Sequence, residues 1–383
     1  MLPLPGGDQW GWGVELDINA ASYASLSDRL QGLHDRLLEF APDVERVSCA
    51  LYDRSDDLLK TFINSTRNGE VLRAHQYKLS DSESLSHLAR TKELRVITGI
   101  QQTLQPTTAH SAYVLSEGFE SSFTVPMYHQ GDFLGFTFFD SRKADTFTPA
   151  LQRELVLNAS LIAMAIANEL MAIRSIVGTV SIARDFAEFR DLETGAHLQR
   201  IARYARVITK RMAQMIELDD EYVEHVFLYS PLHDIGKIAI PDSILLKPAK
   251  LDPDEWEIMK THTTRGREII ETITGDLHID NLPNNQVLLN IVEFHHEAMD
   301  GSGYPAGLMG EDIPLESRIV SVADVFDALT SHRPYKREWT VDEALTELHR
   351  MADTGKLDPM CVKALEIERA EVEDILRRHP EGT

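Results

Sequence analysis

Between Asp191 and Asp324 the chain gathers eight side chains able to hold a metal, in short clusters. They are Glu193 and His197 in DLETGAHLQR, His233 and Asp234 in SPLHDIGKIAIPD, His262 in MKTHTTRG, His295 and His296 in VEFHHEAMDGSGYP, and Asp324 in IVSVADVFDAL. None is a cysteine. Imidazole and carboxylate without thiolate suit iron, manganese or zinc used for hydrolysis better than a structural zinc site. Glu193 and His197 are four apart and share one face of a helix. Adjacent residues on a helix point about 100° apart, so the His233-Asp234 and His295-His296 doublets grip two ions, or one ion from its rim, more naturally than they chelate one, and two doublets suggest a polynuclear site. A lone His262 is more often a surface residue, but seven partners in one stretch reverse that reading. Asp324 lies among Val322, Val325 and Phe326, where an ionised carboxylate is costly to bury unless a metal holds it.

From Ser181 onward the pattern is all-helical, through AHLQRIARYARVITKRMAQMI, EYVEHVFLYSPLHDIGKI, DPDEWEIMKTHTTRGREIIETI, NQVLLNIVEFHHEAM, LESRIVSVADVFDALTS and TVDEALTELHRMA. Several helices projecting ligands inward describe an all-α bundle built around its centre.

These residues and motifs resemble the HD-GYP domains, a branch of the HD superfamily of metal-dependent phosphohydrolases. The superfamily pattern falls on His197, His233, Asp234 and Asp324. The longer matches are HDIGKIAIPDSILLKPAKL, HHEAMDGSGYPAGLMGEDIP and RIVSVADVFDALTSHRPYK, within roughly residues 180 to 370. The resemblance implies that all eight residues coordinate metal, with Asp234 as bridging carboxylate and His233, Asp234 and Lys237 as the catalytic group. It implies two or three divalent ions, iron or manganese first and zinc as an alternative, the third depending on Glu193. Lys237 would contact the scissile phosphate or the attacking water, and Arg333 and Lys336 the substrate phosphates. Asp191 and Asp327 would orient histidines by hydrogen bonds. Gly301, Gly303, Tyr304 and Pro305 form the namesake loop, where Tyr304 would face substrate. The implied activity is hydrolysis of cyclic di-GMP to pGpG and on to GMP in some members. The alternatives are a cyclic di-GMP receptor with little turnover and a hydrolase of another cyclic dinucleotide. One departure stands out: TGKLDPMCV from Thr354 keeps Asp358-Pro359 but places Lys356 and Leu357 before it, which bears on C-terminal packing.

The first half reads differently. After a lead-in at residues 1–20, Leu26, Leu30, Leu33 and Leu37 recur at helical spacing, and strand-like runs follow from Arg46, Leu58, Leu94, Ser121 and Asp132, the last two joined by a turn at His129-Gln130-Gly131. This order resembles a GAF domain, an antiparallel sheet with helices, and implies a small-molecule ligand. Cys49 reads as a buried thiol. His34, His75, His87, His110 and His129 do not cluster and read as surface or satisfied residues. Thr148-Pro149 opens a long helix through Leu151, Leu155, Ile162, Ile166, Leu170 and Ile173 toward Val177, with the spacing of a homodimer seam. The expected layout is a GAF-like sensor at 21–148, a linker helix at 149–180 and the HD-GYP bundle at 181–383.

The formal charge of -23 argues against binding to DNA or anionic membranes. Two distant cysteines, Cys49 and Cys361, fit a reducing cytoplasm. The N-terminus lacks the features of a signal peptide, and Asn168, Glu169 and Arg174 interrupt the apolar run Leu161 to Val180, so no membrane span is expected.

Overall fold

The computed structural model describes residues 25–68, 75–104, 109–186, 195–277, 284–331 and 338–380. The lead-in and the predicted site residues Asp191, Glu193, Arg333 and Lys336 lie outside them.

The helix α1 (Leu26–Phe40) buries Leu26, Leu30, His34 and Leu37, so His34 joins the expected leucine stripe. Its ring is satisfied by Ser65 Oγ at 2.6 Å and the Val44 carbonyl at 2.8 Å. The strands β1 (Arg46–Asp53), β2 (Leu58–Thr66), β3 (Gln76–Lys78), β4 (Arg95–Thr98), β5 (Ser121–His129) and β6 (Asp132–Ser141) pair antiparallel in the order β3-β2-β1-β6-β5-β4. Gln130 and Gly131 both have positive φ, the turn that matches the twist of a two-residue hairpin. Gly135 is required by contact: a Cβ there would lie 1.9 Å from the Ala50 carbonyl oxygen on the neighbouring strand.

α2 (Glu83–Thr91) packs Leu85 and Leu88 against one sheet face, and the short helices α3 (Ile100–Thr103) and α4 (Ala109–Ser116) close the far end. The other face meets α1 and the long helix α5 (Pro149–Phe186), which Thr148 Oγ1 caps by accepting the Leu151 N–H at 3.3 Å. An antiparallel sheet with helices, followed by a helical region, is the expected GAF-like arrangement. Cys49 is buried in β1, and burial pushes its thiol up to about 12.

The helical half comprises α6 (Gly195–Met212), α7 (Asp220–Tyr229), α8 (Asp242–Leu245), α9 (Pro253–Lys260), α10 (His262–Asp276), α11 (Asn285–Phe294), α12 (Leu315–Thr330), α13 (Val341–Asp353), α14 (Pro359–Ile367) and α15 (Arg369–Arg378). Its core joins α6 to α12 through Tyr204 and Phe326, edge to face at 5.1 Å. The departure near the C-terminus packs well. Leu357 is buried, Asp358 caps α14 and accepts from Arg318 at 2.6 Å, and Lys356 bonds Asp300 at 2.7 Å and Ser302 at 2.6 Å at the base of the Gly-Tyr-Pro loop.

The two halves meet through charge. Glu221 of α7 accepts the N–H groups of Leu26 and Ser27, each at 2.9 Å, and so completes the α1 N-terminus begun by Ser25. Lys60 of β2 lies 2.9 Å from Asp53 and 3.3 Å from Glu224, which also takes Arg206 at 3.1 Å. By length and composition α5 is able to cross a membrane over Pro149–Thr179, yet one face packs on the sheet and buried Glu169 pairs with His225 at 2.8 Å.

Burial opposes ionisation of Glu224 and Asp53, but Arg206 and Lys60 outweigh it and hold both carboxyls below their ordinary values. A depressed carboxyl stabilises fully above its unfolded pKa of about 4 and loses that contribution as pH falls through the lower folded value. The wild type should therefore lose more thermal stability than Glu224→Gln between about pH 6 and about pH 3. Parallel melting curves would show that Glu224 gains nothing from these partners.

Candidate metal centre

Each ligand-bearing segment is held by its own local structure. His233 follows the 3-10 turn Ser230–Leu232 and donates Nδ1–H to the Ser230 carbonyl at 2.9 Å. His262 opens α10 and donates to the Met259 carbonyl at 2.8 Å. His295 ends α11 and donates to the Ile291 carbonyl at 3.0 Å. His197, on the first turn of α6, uses a side chain instead: its Nδ1 lies 2.7 Å from Asp327 Oδ2. Arg200 braces that carboxylate from Nε at 2.6 Å and Nη2 at 2.9 Å. Burial alone would raise the Asp327 carboxyl, but its bonds to Arg200 and His197 hold it low and charged. With Nδ1 engaged behind the ring, His233, His262 and His295 bring Nε2 to within 3.5 Å of Asp234, and His197 lies beside His233 and Asp324.

Asp234 stands between them. His262 Nε2 is 3.1 Å and His295 Nε2 3.5 Å from its Oδ1, while His233 Nε2 is 3.2 Å and Lys237 Nζ 2.7 Å from its Oδ2. Two groupings result, each with ligand atoms within 4.8 Å of one another: Asp234 with His262, His295 and His296, and His197 with His233 and Asp324. The His233-Asp234 doublet thus divides between the groupings, as adjacent residues expecting two ions would. His295 and His296 do not divide. They sit at the C-terminal end of α11, His295 still with helical backbone angles, and their rings lie 4.1 Å apart in one grouping.

Burial raises a carboxyl, yet Lys237 and His233 hold Asp234 well below the usual carboxylate range. Burial pushes His295 and His296 down, which keeps both imidazoles neutral and their lone pairs available. The buried Nε2 atoms of His262 and His295 and the Asp234 Oδ1 make no hydrogen bond. Orphaned histidine nitrogens converging on an ionised aspartate fit a divalent metal ion. A third grouping, Glu169, Glu221 and His225, is committed elsewhere, since Glu221 caps α1 and Glu169 bonds His225.

Several contributors were not legible in the sequence. A Cβ on Gly236 would lie 1.7 Å from the His262 carbonyl oxygen, so only glycine lets the Asp234 segment approach α10. Gly303 likewise lies against Ala298, where a Cβ would fall 2.3 Å from the backbone nitrogen; closeness, not positive φ, demands glycine there. Glu297 is buried and accepts the N–H groups of Ala306, Gly307 and Leu308, at 2.7, 3.0 and 3.0 Å, shaping the loop from inside. Tyr304 stacks on His296 at 4.8 Å and meets Trp256 edge-on at 6.2 Å. Position beside the His-His doublet was the available signal for Glu297, and spacing of three from His197 that for Arg200.

The HD domain family profile matches residues 191–361. This stretch is similar to that family. Over 189 residues the chain is 49% identical to the cyclic di-GMP phosphodiesterase response regulator RpfG of Xanthomonas campestris, covering 49% of this chain and 47% of that protein. It is 42% identical over 201 residues to a cyclic di-GMP phosphodiesterase of Thermotoga maritima, covering 52% and 51%. It is 45% identical over 179 residues to the 3'3'-cGAMP-specific phosphodiesterase 2 of Vibrio cholerae, covering 46% and 32%. The chain spans about half or less of the length of these relatives. A structural likeness outside the HD domain is to the GAF domain of a Bacillus halodurans sensor histidine kinase, at 16% identity and a TM-score of 0.33 over 38% of this chain and 96% of that one.

If Asp327 fixes the tautomer and direction of His197, Asp327→Asn should weaken metal binding to the HD domain by about ten- to a hundred-fold without unfolding it. Metal titration followed by thermal melting checks both parts, and unchanged affinity would mean that packing alone orients His197.

Proposed function

We propose that this protein is a metal-dependent phosphodiesterase that hydrolyses cyclic di-GMP to pGpG, with GMP as a further product. The observation that carries the reading is the convergence of three buried imidazoles, each anchored through Nδ1, on the ionised Asp234, with His197 next to His233 and Asp324. His197, His233 and Asp324 would hold one ion and His262, His295 and His296 another, with Asp234 between them; Glu193 would add a third. Iron or manganese is the first choice and zinc the alternative. Bound divalent ions would supply Lewis-acid charge and acidify water near neutral pH. Lys237, partly exposed and 2.7 Å from Asp234, brings a cation to the mouth of the centre, where it meets a phosphate oxygen. Tyr304 offers a ring face beside His296, and Arg333 and Lys336 would meet the remaining phosphate charge. The division of labour is a sensor at 21–148, a linker at 149–180 and catalysis from 181 onward, in the cytoplasm.

Relatives described as 3'3'-cGAMP-specific favour one second reading, in which that dinucleotide is the substrate. Protein purified without oxygen and supplied with iron(II) or manganese(II) should convert cyclic di-GMP to pGpG or GMP, and His233→Ala should lose at least about 100-fold in rate. Faster turnover of 3'3'-cGAMP in side-by-side assays would move the substrate to the second reading. Tight dinucleotide binding with no product under any metal would leave a receptor.

The linker supports a homodimer, through a different face from the one its spacing first suggests. Leu155, Ile162 and Ile166 pack on the sheet and Ile173 on the helical core. Exposed instead are Leu157 at 62%, Leu161 at 37%, Met164 at 52% and Met171 at 42%, which alternate by four and three residues with Asn168 between them. That is a heptad seam with a polar residue at one inward position, a device that fixes register in paired helices. Leu157→Glu with Met164→Glu should turn a dimer into a monomer in sedimentation at micromolar concentration; a wild type already monomeric would remove the seam.

A further inference from the structure

We propose that Asp56, in the β1–β2 turn of the sensor half, is a positioning residue for the metal ligand His197. The inference rests on the reading of the helical half as a metal-dependent hydrolase and extends it to how the first half reaches the centre. Asp56 Oδ2 accepts from Arg203 Nη2 at 3.0 Å, and the same nitrogen lies 3.3 Å from Ser55 Oγ. Asp56 Oδ1 accepts from Arg378 Nη1 at 2.7 Å. The Arg203 and Asp56 side chains are each only 7% exposed, so this ion pair between the halves is largely shielded from water.

Both arginines lead to His197. Arg203 is three residues after Arg200 on α6, and Arg200 is three after His197, so all three stand on one side of the same helix. Arg378 ends α15, and the next residue, His379, gives its carbonyl to Arg200 Nη1 at 3.0 Å. Arg200 in turn holds Asp327, which takes the His197 Nδ1 proton. A closed polar ring therefore runs from Asp56 through Arg203 along α6 to Arg200, through His379 to Arg378, and back to Asp56. Arg200 is its member in contact with the carboxylate that aims the ligand.

The surroundings let this ring move. It borders a cleft of about 650 Å³ between the halves, lined by Asp53, Ser55, Arg174, Gln199, Arg203 and Phe227 among others. A turn held by ion pairs beside a cleft shifts without repacking an apolar core. A change in the sensor sheet carried to this turn would loosen or tighten Arg203 and Arg378 together. The grouping of Asp234, His262, His295 and His296 has no comparable connection among the contacts described, since His262 and His295 are anchored by backbone carbonyls close in sequence.

The test uses the full chain with manganese(II) as probe and reads metal release to a chelator. Asp56→Asn should weaken the ion at His197, His233 and Asp324 by about 3- to 10-fold and leave the other ion unchanged, with Asp56→Glu restoring wild-type release. Asp56→Asn combined with Arg203→Ala should lose less than the sum of the two single losses, because both variants remove the Asp56–Arg203 pair and only the Arg378 arm is left to break. Glu224→Gln, which cuts the separate Lys60 contact between the halves, should leave metal release at the wild-type rate. Equal loss in Glu224→Gln and Asp56→Asn would assign the effect to general docking and overturn the proposal, as would wild-type release in Asp56→Asn or additive losses in the double variant. Metal release is read without any dinucleotide, so a failed hydrolysis assay would count against the phosphodiesterase and not against Asp56.

Discussion

An ionised carboxylate inside a protein loses several kcal/mol of hydration that only close opposite charge and good hydrogen bonds return. Asp234 is such a group, with three histidine nitrogens and the Lys237 ammonium within 3.5 Å of its oxygens. Lys237 supplies opposite charge, while the histidine Nε2 atoms, whose Nδ1–H groups donate to backbone carbonyls, face Asp234 as lone pairs that a divalent ion would join to it. The turn carrying Asp234 presses against α10 at Gly236, closely enough that no other residue fits, and this approach sets the distance between Asp234 and His262. The tightest backbone contact in the region and the centre of its chemistry are therefore the same place.

The histidines are not equivalent in what holds them. His233, His262 and His295 bond carbonyls three or four residues earlier, so their directions follow from local helix geometry. His197 bonds Asp327, 130 residues away in sequence, and Asp327 keeps its place through Arg200. One ligand thus depends on long-range side-chain order while three depend on their own turns. A site built this way keeps most of its geometry under disturbance elsewhere and leaves one ligand open to adjustment. His197 also sits on α6, whose later arginines, Arg203 and Arg206, meet the first half through Asp56 and Gln76.

Ligand types, their clustering and the helical character around them were legible in the sequence, because metal chemistry restricts residue identity and helices restrict spacing. Five of the six described strands and the β5–β6 turn were legible for the same reason, since alternation and turn residues are local, whereas the three-residue β3 was too short to carry a pattern. What escaped was set by approach between distant segments. Nothing local marks Gly236 as the one residue able to lie against the His262 carbonyl, or Glu297 as the acceptor for three amides of the Gly-Tyr-Pro loop. The doublets show the limit from both sides. His233 and Asp234 lie in the turn between two 3-10 stretches and fall in separate groupings, whereas His295 and His296 at the end of α11 share one, so the 100° step of a continuous helix governs neither doublet.

The linker helix carries the same lesson about faces. Spacing of three and four picks out Leu155, Ile162, Ile166 and Ile173, and equally Leu157, Leu161, Met164 and Met171, because both sets have the period of a helix. Only burial separates them, and the first set is consumed by the sheet and the bundle core. The second is apolar and exposed, while the contacts between the two halves of one chain are dominated by Lys60, Glu224, Arg203, Asp56 and Glu221. Apolar seams fix helices in place over many turns, and ion pairs beside a cleft exchange partners at much smaller cost. The ion pairs between the halves lie beside a cleft where the first half meets α6, next to His197, the histidine least fixed by local structure.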